Sequence, residues 1–154
     1  MQERPVNAPA RSRPLTRADF SLFRPIPTRW LDVDIYGHVN NVVYLSYFDT
    51  AVNGWYIEQG LMDPASSELV FLVVETGCQY FAELAFPDLV QAGIRVAALG
   101  TSSVRYDIAL FRNDDATAAA QGQFVHVQVD RTDRRPRPIA GDRRAAFEAL
   151  LPRP

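Results

Sequence analysis

Arg29-Trp30-Leu31-Asp32-Val33-Asp34-Ile35-Tyr36-Gly37-His38-Val39-Asn40-Asn41-Val42-Val43-Tyr44, running on to Gly60, is the stretch that decides the fold. It reads as a short strand over residues 28–33 ending in two carboxylates, then a glycine turn with a polar cluster, then a long and mostly apolar helix. If residues 28–33 are extended, the period of two puts Asp32 and Asp34 on one face. Two like charges held close beside an apolar helix push at least one carboxyl pKa upward, toward a usable base or acid. The other reading is that one of the pair, Asp32 in particular, caps the turn or pairs with Arg29.

Gly37 permits a tight or positive-φ bend. Asn40 or Asn41 suits the N-cap, its side chain accepting from a free amide of the first turn. Asp34 is thereby delivered to a helix N-terminus, where exposed amides and the helix dipole favour negative charge. This combination suits a reaction in which a carbonyl oxygen gains charge while a carboxylate, or a water it activates, attacks the carbon.

Within the helix, Leu45, Phe48, Val52 and Trp55 form a core-facing stripe, with Val43, Tyr44, Tyr47, Ala51 and Ile57 off it. A helix apolar over more than half its circumference is buried on several sides. Its few charges are Asp49 and Glu58, and Gly60 stands as the C-terminal stop.

Working outward, 154 residues with 47% hydrophobic content are enough for one cored domain and too few for a second. The net charge of −2 gives no electrostatic reason to expect nucleic acid or an acidic membrane as partner. Cys78, the single cysteine, allows no intrachain disulfide and fits a reducing compartment. No run approaches the roughly 20 apolar residues of a membrane span, and the N-terminus lacks a signal-peptide core. A cytoplasmic protein is expected.

Residues 1–18, rich in Pro and Arg, read as a disordered N-terminal arm preceding a single domain over residues 19–154. Residues 20–31 carry Pro25 and Pro27 and so form at most an edge strand. Residues 69–84 read as a long strand bent at Gly77. Alternation then continues through Ile94, Val96 and Ala98, through Val104, Tyr106, Ile108 and Leu110, and through Val125, Val127 and Val129. His126, between those valines, is expected to face outward. Short polar turns join these runs, so they form an antiparallel meander. A basic loop with Arg131, Arg134, Arg135 and Arg137 precedes a short helix over residues 141–150. The whole is α+β, a curved antiparallel sheet wrapped around one long central helix. Its outer face and edges need cover, which predicts a homodimer.

The run Asp32-Val33-Asp34, Gly37-His38-Val39-Asn40-Asn41, with Tyr44 and Tyr47 and the meander behind it, resembles the hotdog-fold acyl-CoA thioesterases of the 4-hydroxybenzoyl-CoA thioesterase family. The resemblance covers roughly residues 20–139. It implies a hotdog homodimer, often paired into a homotetramer, with the substrate groove at the subunit interface. It puts the nucleophile or base on Asp34 and the carbonyl-polarising backbone amide on Asn41 and its neighbours. His38 occupies the position after the glycine, as in plant-type acyl-carrier-protein thioesterases, and either hydrogen-bonds Asp34 or a water or closes the turn. Gly37, Asn40, Tyr44 and Tyr47 are expected around the substrate, Glu75 as a reserve carboxylate in the groove, and Arg134 and Arg135 on the phosphates of coenzyme A. Coenzyme A is part of the substrate, so no cofactor is implied, and two scattered His and one Cys form no metal ligand set.

The function expected is hydrolysis of an acyl-CoA thioester. The alternatives are a thioesterase acting on acyl-carrier protein, a hotdog hydratase using Asp34 with His38, and a non-catalytic acyl-CoA-binding protein. No Gly-x-Ser-x-Gly elbow for a serine hydrolase occurs.

Overall fold

The computed structural model describes residues 12–154. Strand β1 (Leu22–Pro27) leads through a loop to helix α1 (Asn41–Glu58); β2 (Leu69–Tyr80), β3 (Leu89–Leu99), β4 (Ser103–Arg112) and β5 (Ala120–Asp130) follow, and α2 (Gly141–Glu148) closes the chain. The five strands form one sheet in the order β1-β3-β4-β5-β2, with every neighbouring pair antiparallel. This is the α+β hotdog fold.

Helix α1 lies against the sheet because its apolar side chains cover most of its surface. Tyr44, Tyr47, Phe48, Ala51, Val52, Trp55 and Tyr56 are all buried. Phe48 and Val52 are wholly so, each worth about 1.5–3 kcal/mol on folding. The stripe is wider than Leu45-Phe48-Val52-Trp55 and rotated toward the tyrosines, leaving Leu45 only half-buried. Asn40 is the N-cap, and Gly60 ends the helix at φ +66°. A Cβ on Gly122 of β5 would stand 1.9 Å from the Gly77 carbonyl and 2.8 Å from the Phe48 ring, so only glycine lets strand and helix meet there.

The inward face of the sheet is set by register. Tyr106 pairs with Phe124 and Val104 with His126, and directly opposed residues share a face. His126 therefore points inward, 1% exposed, contrary to the outward placement expected for it. Its Nδ1 lies 3.0 Å from the Tyr56 hydroxyl, which in turn hydrogen-bonds the Tyr106 hydroxyl.

Two further expectations are corrected. The irregularity in β2 falls between Val73 and Glu75 rather than at Gly77, and the strand ends at Tyr80. The last part of the supposed arm is docked: the Leu15 amide donates to Gln121 at 2.6 Å, Gln121 donates to the Arg13 carbonyl at 3.1 Å, and Arg17 reaches the Asp115 carbonyl at 2.8 Å. Residues 1–11 of that arm lie outside the described residues.

The two sheet edges differ. β1 is short and carries Pro25 and Pro27, whereas β2 runs for 12 residues without proline and exposes Leu72, Val73 and Val74. Among the described residues, no helix is long and apolar enough to cross a membrane.

Candidate active site

The residues before α1 do not continue as a strand. Trp30–Asp32 is a turn of 3-10 helix, because the Asp32 carboxylate reaches back to its own loop. It accepts from the Arg29 amide at 2.9 Å, from the Arg29 guanidinium at 2.9 and 3.1 Å, and from the Tyr47 hydroxyl at 2.7 Å. Burial alone pushes this carboxyl up, but the hydrogen bonds from Tyr47 and Arg29 outweigh it and hold Asp32 below the ordinary carboxylate value. Asp32 and Asp34 are thus not a repelling pair on one face. Asp32 is 1% exposed and structural, and the hydroxyl of buried Tyr47 is committed to it.

The Asp32 carbonyl accepts from the Asn40 amide at 2.9 Å, tying the turn to the helix cap. Between them the chain folds into a small loop. Val33 bridges Val39, the Asp34 amide donates to the His38 carbonyl at 3.1 Å, and the Gly37 amide donates to the Asp34 carbonyl at 3.1 Å. Gly37 sits at φ +85°, a conformation that other residues rarely adopt. The Tyr36 amide donates to Asp34 Oδ1 at 2.9 Å, leaving Oδ2 without a hydrogen-bond partner among the described residues.

At the helix start, Asn40 Oδ1 accepts from the Val42 amide at 3.1 Å and the Asn40 carbonyl accepts from the Val43 amide at 2.9 Å. The Asn41 amide, first of the turn, has no intrahelical acceptor. A cavity of about 450 Å³ joins these parts, with Asp34, Tyr36, His38, Asn41, Tyr44 and Tyr80 on its walls. Burial raises the Tyr44 phenol and pushes that of Tyr80 up to about 12, so both stay protonated donors near neutral pH. His38 stacks on Tyr36, and its Nε2 is 3.7 Å from Glu83 Oε1, on the same cavity wall.

Of the expected site residues, Asp34, His38, Asn41 and Tyr44 therefore meet, while Gly37 and Asn40 shape the loop that carries them. Glu75 does not join them. It pairs with Arg105 at 3.3 Å and borders a separate cavity of about 500 Å³ with Arg95 and Asp107. Arg134 and Arg135 lie in the turn after β5, outside the Asp34 cavity, with their amides bonded to the Asp130 carbonyl and the Asp133 carboxylate at 2.9 and 2.8 Å. Tyr80 and Glu83 were not singled out from the sequence, where they appear as ordinary members of an apolar strand and its end.

The profile of the thioesterase-like superfamily matches residues 28–147, from the loop before the site to helix α2. The chain belongs to the thioesterase-like superfamily. A solved structure of the PA5185 protein from Pseudomonas aeruginosa is 49% identical, with a TM-score of 0.88 over 90% of this chain and 97% of that one. A Thermus thermophilus thioesterase, solved in complex with coenzyme A and Zn, is 30% identical, with a TM-score of 0.70 over 88% of this chain and 98% of its own. Among curated sequences, the YsmA protein of Bacillus subtilis is 24% identical over 115 residues, 75% of this chain and 77% of that protein.

In this thioesterase-like chain, no three His, Cys, Asp or Glu side chains among the described residues cluster as a metal-holding group. What lines the cavity is Asp34, with one carboxylate oxygen uncommitted among the described residues, and Asn41, the first residue of α1, on walls that are largely aromatic. An anionic nucleophile and an anion-stabilising donor on one concave surface can carry out acyl transfer.

Proposed function

We propose that this protein is an acyl-CoA thioesterase in which Asp34 reacts and the Asn41 amide receives the developing oxyanion. The observation that carries the reading is that Asp34 and Asn41, the first residue of α1, line one cavity. The coenzyme A bound to the Thermus thermophilus relative supports a CoA thioester as substrate.

In the water route, Asp34 takes a proton from a water as its oxygen bonds to the thioester carbonyl carbon, and the carbonyl electron pair moves to oxygen. In the direct route, Asp34 Oδ2 bonds to that carbon, and water later hydrolyses the resulting mixed anhydride. Either way the intermediate collapses by breaking the C–S bond, and the electron pair leaves on sulfur. The conjugate thiol has a pKa near that of cysteine, about 8.5, so the leaving group needs no strong acid. Charge on the carbonyl oxygen is the main barrier, and a helix N-terminus offsets it with a fixed donor and dipole.

The test is thiol release from aryl, short-chain and long-chain acyl-CoAs by the native protein and by Asp34→Asn, which keeps the shape and removes the charge. A fall in kcat of at least ~10²-fold, with melting unchanged, is the expected outcome. Undiminished turnover in Asp34→Asn would exclude Asp34 as the reacting group. Activity on acyl-carrier-protein thioesters alone would move the substrate class, and tight binding of acyl-CoA without turnover would make the protein a binder.

A further inference from the structure

We infer that Tyr80 is a positioning residue of this site, its hydroxyl fixing the Asn41 carbonyl and, through the backbone of that one residue, presetting the Asn41 amide for the thioester carbonyl. The inference rests on the thioesterase reading above. Tyr80 is the last residue of β2, and its hydroxyl donates to the Asn41 carbonyl at 2.9 Å. Its ring stands edge-on to that of Tyr44, with centroids 4.9 Å apart at 82°. Tyr44 is itself 3% exposed, so the phenol is braced against a rigid neighbour.

The bond is not needed to satisfy the helix. Carbonyls in the first turn already accept from amides four residues on; the amides are the groups left over. A hydroxyl placed on a second lone pair of an already bonded carbonyl contributes position rather than satisfaction. Asn40 holds the first turn from one side, through Val42 and Val43. Tyr80 holds it at the Asn41 carbonyl, from the end of β2. Residue 41 is thereby fixed at its own carbonyl, one residue's backbone from the proposed oxyanion donor. Oxyanion donors act by being in place before charge develops, and misplacement by a fraction of the helix turn forfeits that advantage.

Tyr80→Phe removes only the oxygen. The expected result is a kcat at least tenfold lower on the best acyl-CoA, a KM within twofold of native and a melting temperature within a few degrees. The amide resonance of Asn41, followed by ¹H–¹⁵N NMR without substrate, should shift and exchange faster in the variant, which a residue that merely lines the cavity would not produce. A raised KM with native kcat, or an unmoved Asn41 amide, would overturn the inference. These outcomes are separate from failure of the parent reading. Full activity in Asp34→Asn removes Asp34 but leaves the Asn41 amide and its Tyr80 test standing, whereas a native protein inert toward every thioester removes both.

Discussion

Asp32 is a buried carboxylate whose charge is sustained by Arg29 and by the Tyr47 hydroxyl, 15 positions further along the chain. Removing the Tyr47 hydroxyl leaves Oδ2, in a dry site, with the Arg29 amide as its one remaining donor, and a hydrogen bond to a charged group is lost. Tyr47→Phe is expected to destabilise the fold by about 1–3 kcal/mol, read from urea denaturation, while Asp34→Asn should melt like the native chain. Native stability in Tyr47→Phe would show that Asp32 does not depend on that bond. The Arg29 partnership was legible in the sequence because it is three residues away. Tyr47 was not, because which face of a helix meets a loop is decided by packing. The same blind spot joined Asp32 with Asp34 as an extended pair. A side chain that bonds its own loop's amide competes with the strand, and here it wins. Asp34 itself was legible, since a carboxylate, a glycine turn and an Asn cap in sequence dictate where it stands relative to the helix.

At the level of elements, α1 was readable almost to the residue, because cap, apolar surface and glycine stop agree. The bend in β2 was not. Gly77 looks like a hinge, but it is exposed and a Cβ there would meet nothing within 4 Å; the glycine that close packing demands is Gly122 on the neighbouring strand, beneath Phe48, and the irregularity at Val74 carries no signal in side-chain type. The two edge strands lead to a prediction. β1 is blunted by proline, whereas β2 has no strand on its outer edge among the described residues and exposes Leu72, Val73 and Val74. A second copy can add antiparallel to β2 about a two-fold axis. The native protein is expected to sediment as a dimer at micromolar concentration, and Val73→Glu, which brings a new charge to that edge in both copies, should shift it toward monomer. A native monomer under those conditions would rule out this edge as the interface.

Across the whole molecule, His126 couples the core to pH. Its ring stacks on Tyr56, tilts against Phe71 and stands edge-on to Tyr106 and Phe124, and burial lowers its pKa to about 4 from an ordinary 6.5. The other ionisable groups around this cluster are the two tyrosines, both kept neutral by burial, and Arg143, whose guanidinium lies over Phe71. Between pH 6.5 and 4 the unfolded chain binds a proton at His126 that the folded chain refuses. Stability is therefore fully present above pH 6.5 and declines as pH falls toward 4, by an amount on the order of 3 kcal/mol. Urea denaturation across that range should show the slope, and His126→Gln should flatten it; an equal slope in the variant would assign it elsewhere. Sequence alternation found this strand but not its phase, because three valines made the wrong face look like the core. The asymmetry of the sheet's edges also reaches beyond pairing. A unit that pairs through one competent edge would have a valence of one: two copies would exhaust that edge, and rising concentration would complete pairs without opening a route to fibres.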